Sequence, residues 1–147
     1  MLISTKEIDV RYAETDQMGV VYHANYLVWM EVGRTALIED LGFSYAQMER
    51  DGIISPVLDI QASYKKPLRY GEKAIIKTWI EEYDGIRITY GYEICKEDGE
   101  LAVTGMSKHA CVKKETFRPI SIKRKFPNWH QAYENEKKKA EEIVTKG

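Results

Sequence analysis

Residues 24–41 place the strongest constraint on the fold. Ala24-Asn-Tyr-Leu-Val-Trp-Met30 opens a helical stretch that is apolar on nearly every side. A surface helix keeps one polar face, so a helix apolar all round must be buried. The rest of the chain therefore has to surround it. Gly42 reads as its C-terminal cap. Gly33 lies inside it, at a cost of ~1 kcal/mol relative to Ala, which predicts close packing against another backbone. Glu31 and Arg34 lie three apart and share a helix face. Charges in a buried helix need partners, so a structural pair is expected, with each other or across an oligomer interface.

The surrounding material reads as strand. Ile3–Tyr12 alternates Ile8 and Val10 with charge, and a loop over 13–23 leads into the helix. Ser44–Arg50 reads as a short second helix. From Pro56 the period becomes two, with Leu58, Ile60, Ala62 and Tyr64 on one face and Asp59, Gln61 and Ser63 on the other. Three more strands follow, over about 72–83, 86–96 and 101–113. Asp84-Gly85 and Asp98-Gly99 are pairs favoured in two-residue hairpin turns. Ile86, Ile88, Tyr90, Tyr92 and Ile94 share one face of the middle strand. The outline is α+β: a strand, a buried helix and an antiparallel sheet packed on one side. After Pro119 and Pro127, which bracket Lys123-Arg124-Lys125, Asn128 reads as the N-cap of a charged helix to about 144. Its apolar stripe is thin, which predicts weak docking.

At 147 residues the chain is expected to be a single domain spanning 1–147. No apolar run reaches the ~20 residues of a membrane span, and the N-terminus does not read as a signal peptide. A cytoplasmic location is expected. The net charge of -1 gives no case for nucleic-acid binding. Cys95 and Cys111 match no zinc or disulfide pattern, and the three histidines match no metal motif. A two-residue turn at Asp98-Gly99 sets Cys95 opposite Ala102, far from Cys111, so two free thiols are expected.

The chemistry-bearing segment is Tyr12-Ala-Glu-Thr-Asp16-Gln-Met-Gly19-Val-Val-Tyr22-His23-Ala-Asn25-Tyr26. It puts a carboxylate in a loop just before a helix start. A helix N-terminus carries unpaired N–H groups and a partial positive charge, which suit an oxyanion. A carboxylate beside it suits a base or a nucleophile.

Thr15-Asp16-x-x-Gly19-Val20-Val21-x-His23-x-x-Tyr26 resembles the signature of the 4-hydroxybenzoyl-CoA thioesterase family of hotdog-fold enzymes. It is most similar to the branch of bacterial acyl-CoA thioesterases found with the Tol–Pal genes. The likeness extends over about residues 3–120, including the helix, the Ser63–Gly71 segment and the meander. Asp9 departs from the Gln or Arg expected there. The resemblance implies a hotdog fold, with an antiparallel sheet around the long helix and two protomers joined sheet edge to sheet edge. It implies active sites at the dimer interface and often a tetramer. It also implies hydrolysis of an acyl-CoA thioester to a carboxylic acid and free coenzyme A, with coenzyme A as part of the substrate and no cofactor or metal. Asp16 then attacks the thioester carbonyl or activates a water, and the His23 backbone N–H polarises the carbonyl. Gly19 shapes the loop and approaches substrate, and Tyr22, Asn25 and Tyr26 line the pocket. Trp29, Tyr12 and the strand from Leu58 to Tyr64 complete an acyl pocket, with Ser63 a further candidate near the thioester. Lys65, Lys66 and Arg69 are candidate ligands for the phosphates of coenzyme A, and a solvated charged turn is the competing reading. Two other classes remain: a hotdog hydratase or dehydratase, and a non-catalytic acyl-CoA sensor.

Overall fold

The computed structural model describes residues 1–139. In chain order the elements are β1 (Ser4–Asp9), a 3-10 turn (Tyr12–Glu14), α1 (His23–Asp40), α2 (Tyr45–Arg50), β2 (Ile53–Ile54) and β3 (Val57–Tyr64). They continue with β4 (Lys73–Tyr83), β5 (Arg87–Lys96), β6 (Leu101–Ala110), β7 (Val112–Lys113), α3 (Ile122–Lys125) and α4 (Pro127–Glu136). Five strands form one antiparallel sheet in the order β1-β4-β5-β6-β3. β2 and β7 pair separately. The sheet lies against α1, whose Trp29, Met30, Leu37 and Ile38 are at most 2 % exposed. This is the hotdog arrangement.

Gly33 sets how closely helix and sheet approach. A Cβ built there would lie 2.5 Å from Thr78 Oγ1 and 2.6 Å from Ile76 Cγ2. Gly42 follows α1 with φ +91°, a conformation that glycine adopts without steric cost. Ile88, Tyr90, Tyr92 and Ile94 face the core as their alternation requires. Ile86 does not, because it lies in the turn.

Both hairpins depart from the expected turns. In the first, a bulge between Ile80 and Glu82 shifts the register by one, so Tyr83 faces Ile88. The loop is therefore Gly85-Ile86, and Asp84 Oδ1 accepts the N–H groups of Ile86 and Arg87 at 2.9 and 2.6 Å. In the second, Lys96 N–H donates to the Glu100 carbonyl around a three-residue loop, Glu97-Asp98-Gly99. Ile94 still faces Val103, but a bulge at Ala102 places Cys95 opposite Leu101 rather than Ala102. Both cysteines are buried free thiols. Burial raises the Cys95 thiol above its ordinary value and pushes Cys111 up to about 11.

The C-terminal helix also differs from expectation. Phe126 is its N-cap and Pro127 its first residue, displacing Asn128. Proline suits that position, where its missing N–H costs nothing and its fixed φ fits the helix. The helix ends at Glu136 rather than near 144, and Lys137 is already extended. Residues 140–144 of the expected helix lie outside the described residues. The thin stripe docks firmly. Trp129 is 5 % and Tyr133 1 % exposed, Trp129 stacks on Phe43 at 4.8 Å, and the Tyr133 hydroxyl meets that of Tyr90. Two large aromatic side chains bury enough area to outweigh a short stripe. Beyond the helix, Lys138 N–H donates to the Ile80 carbonyl, on the part of β4 that extends past its pairing with β1.

Candidate active site

The loop between β1 and α1 is held by its own backbone, by the Leu68 carbonyl, which accepts Val21 N–H, and by one buried side chain. Asp16 N–H donates to the Val20 carbonyl, and Gly19 N–H returns to the Asp16 carbonyl. Gly19 has φ +79°, so the turn needs a residue tolerant of the left-handed region. Asp16 Oδ1 accepts Met18 N–H at 2.8 Å and Val20 N–H at 3.4 Å. Its Oδ2 accepts no hydrogen bond among the described residues. One carboxylate oxygen is thus pinned and the other left available. The half-buried Asp16 lies along a cleft of about 320 Å3 lined also by Met18, Val20, Val21, His23, Tyr26, Tyr64, Lys65, Lys66 and Pro67.

His23 is the first residue of α1, and no side chain caps that end. Tyr22 carbonyl accepts the N–H of Asn25. The His23 and Ala24 N–H groups have no acceptor among the described residues, so the helix start points unsatisfied donors outward. The exposed imidazole packs on Tyr22 at 4.4 Å. Tyr64 lies across the cleft, with its ring 6.4 Å from His23 and 5.5 Å from Tyr26, and donates its hydroxyl to the His23 carbonyl at 3.3 Å.

The expected site residues divide into two groups. Asp16, His23, Tyr26, Lys65 and Lys66 line one cleft. Tyr26 is 4 % exposed and its hydroxyl accepts Leu68 N–H, so it forms the cleft floor from within the core. The bulged Ala102 carbonyl accepts both Lys65 and Lys66 N–H, fixing the backbone that carries the two cations. Lys66 pairs with Glu100 at 3.0 Å on the surface. Gly19 and Tyr22 border the cleft without lining it. Arg69 bridges Val20 through its backbone, and its side chain is not part of the lining. Ser63 faces away, because alternation along β3 puts it on the sheet face opposite Tyr64. Tyr12 is 77 % exposed and pairs edge-on with Tyr70 rather than with substrate-lining groups. Trp29 is core.

Two expectations about charges and polar groups need correction. Asn25 is not a pocket residue: its Nδ2 donates to the Glu14 carbonyl and ties helix to loop. Arg34 has no carboxylate partner among the described residues. Its Nε donates to the Tyr45 hydroxyl and its Nη1 to that of Tyr92, with the guanidinium over the Tyr45 and Tyr90 rings. Phenol oxygens and ring faces compensate the buried cation where a carboxylate was expected. Glu31 is exposed.

Glu14 is the residue that sequence reasoning missed. It is 6 % exposed, and its carboxylate accepts Arg11 N–H at 2.9 Å and the Trp29 indole N–H at 2.8 Å. Burial works to raise its pKa, but these hydrogen bonds and the Arg11 charge outweigh it, and the net shift is downward. Nothing in a local pattern marks a contact between residues fifteen apart. Among the described residues no cluster of three His, Cys, Asp or Glu side chains is arranged to hold a metal, and no helix is long and apolar enough to cross a membrane.

The model of the thioesterase-like superfamily matches residues 10–133. The chain belongs to that superfamily. It is 63% identical over 138 residues, 94% of this chain and 100% of the relative, to the Bacillus subtilis (strain 168) protein named "Putative acyl-CoA thioesterase YneP". Among solved structures, a DHNA-CoA thioesterase from Staphylococcus aureus superposes with a TM-score of 0.90 at 54% identity, covering 92% of this chain and 91% of that one. The hypothetical protein TT1821 from Thermus thermophilus gives 0.84 at 31% identity, covering 94% and 100%. The chain thus stands among thioester hydrolases, within the α+β hotdog fold.

Proposed function

We propose that this protein hydrolyses an acyl-CoA thioester, releasing a carboxylic acid and free coenzyme A. One observation carries the reading: a single cleft holds a carboxylate with one free oxygen, the uncapped start of α1, and two lysines. In this reading the thioester carbonyl oxygen sits on the His23 N–H, where negative charge develops in the transition state. Asp16 Oδ2 then either attacks the carbonyl carbon or takes a proton from an attacking water. Loss of the thiolate breaks the C–S bond, and a proton from solvent completes free coenzyme A. If Asp16 attacks first, a water then cleaves the mixed anhydride and restores the carboxylate. Lys65 and Lys66 receive the phosphates at the cleft mouth.

The acyl group proposed is aromatic. Tyr26 and Tyr64 line the cleft with their rings 5.5 Å apart, and the 54%-identical neighbour is a DHNA-CoA thioesterase. A cytoplasmic location belongs to the same proposal. The placement in the 4-hydroxybenzoyl-CoA thioesterase family, on its Tol–Pal-associated branch, belongs to it too and rests on the Thr15–Tyr26 motif. So does a dimer or dimer of dimers. β3 is an edge strand with Val57 and Leu58 each 51 % exposed, an apolar edge that a second copy would cover.

A thiol-release assay over acyl-CoA substrates tests the reading. Aromatic acyl-CoAs are expected to turn over faster than straight-chain ones. Enoyl–hydroxyacyl interconversion without thiol release would make the protein a hydratase, and binding without turnover would make it a sensor.

A further inference from the structure

Glu14 is a buried ionisable group two residues from Asp16, and its contacts reach both ends of the loop. Its Oε1 accepts Arg11 N–H, at the point where the chain leaves β1. Its Oε2 accepts the indole N–H of Trp29, on the second turn of α1. Its own carbonyl accepts Tyr22 N–H at 2.8 Å and Asn25 Nδ2 at 2.9 Å, one residue before and two residues after His23. Trp29 is itself held by the core, with its ring 5.3 Å from that of Tyr26. The carboxylate thus links a rigid helix to the first half of the loop, residues 11–19; the half that follows is held separately, with Val21 N–H donating to the Leu68 carbonyl.

We propose that Glu14 is a positioning residue for hydrolysis: its carboxylate, held by Trp29, fixes the separation between Asp16 and the start of α1. It touches no substrate. An ionised carboxylate is required because every group facing it is a donor: the Arg11 N–H, the Arg11 Nε at 3.4 Å and the Trp29 indole. A glutamine would turn an N–H2 towards one of them and leave that contact unmade. The backbone bonds of Glu14 survive substitution, so the loop stays attached but loses its register on the helix. Misplacement of a reacting group by about 1 Å costs roughly 10²-fold in rate.

This inference rests on the proposed hydrolysis, and the experiment separates the two. Thiol release, affinity for a non-hydrolysable acyl-CoA analogue and thermal midpoint are measured for the wild type, Glu14→Gln, Trp29→Phe, the double variant and Asp16→Asn. Glu14→Gln is expected to lose about 10²-fold in kcat, with KM and analogue affinity within threefold of wild type. Trp29→Phe keeps an aromatic ring in the core and removes the donor, so it is expected to reproduce the kcat loss if Glu14→Gln folds poorly. The double variant is expected to lose no more than the worse single one, because both break the same link. Losses that multiply, or a lowered midpoint with kcat unchanged, would overturn the positioning role. Loss of turnover in Asp16→Asn alone would reject Glu14 and leave the hydrolysis reading intact. Turnover retained in Asp16→Asn would place the reaction away from this loop and reject Glu14 with it, whereas no thiol release from the wild type would reject the hydrolysis reading itself.

Discussion

At Gly33 a single hydrogen sets how closely α1 lies on β4. Gly33→Ala gains helix propensity of about 1 kcal/mol, yet its methyl meets Thr78 Oγ1 and Ile76 Cγ2 inside van der Waals contact. Both neighbours are β-branched and stiff at χ1, so strain of about 1–3 kcal/mol outweighs the gain. Urea unfolding is expected to show a net loss of about 1–2 kcal/mol; a stabilised variant would contradict the packing. A glycine inside an apolar helix made a close approach legible, but the expected neighbour was backbone, and the structure places the Thr78 and Ile76 side chains there instead. The Arg34 environment was not legible. Its partners Tyr45 and Tyr92 come from α2 and β5, and no local spacing links them. Asp16, Gly19 and His23 were legible as a motif. The Glu14–Trp29 link, which joins that motif to the core, was not.

Among the elements, β3 carries the most exposed apolar surface relative to its length. Seven of its eight positions were assigned to faces from alternation alone, and Tyr64 and Ala62 do turn towards α1 as that pattern requires. Alternation does not reveal that β3 is an edge, since sheet order depends on pairings far apart in the chain. Ile60 remains 37 % exposed on the face shared with Tyr64. Ile60→Lys places a charge on that edge, a common device for preventing strand addition. Light scattering is expected to show a wild-type dimer or larger, a monomeric Ile60→Lys, and loss of thiol release with dissociation. A wild-type monomer with full activity would remove the dimer from the account. Turn positions were the least legible feature of the sheet. Bulges at Glu81 and Ala102 shift both registers, and the Ala102 carbonyl accepts the Lys65 and Lys66 amides from a segment that no Asp-Gly pair points to.

Across the whole molecule, a buried polar seam runs behind α1 and couples stability to pH. His109 is fully buried on β6, where Nε2 meets Ser107 Oγ at 2.8 Å, Nδ1 faces the Ser55 carbonyl, and the ring lies against Tyr90. Burial, reinforced by the Arg34 charge, lowers its pKa to about 4. The unfolded chain binds this proton near pH ~6.5, while the folded chain does not until about pH 4. Stability is therefore unaffected by His109 above the unfolded value and falls as pH drops from about 6.5 towards 4, by at most about 3 kcal/mol. Thermal melts across that window are expected to show the fall in wild type and a flatter profile in His109→Gln; equal slopes would remove His109 as the cause.

The central claim concerns chemistry at the other end of α1, and thiol release by Asp16→Asn tests it most directly. The substitution keeps the side-chain oxygen that caps the Met18 and Val20 amides and removes the charge. Fold, oligomer and analogue affinity are expected to match wild type while kcat falls by about 10²–10⁴-fold. A near-wild-type kcat would place the reaction elsewhere.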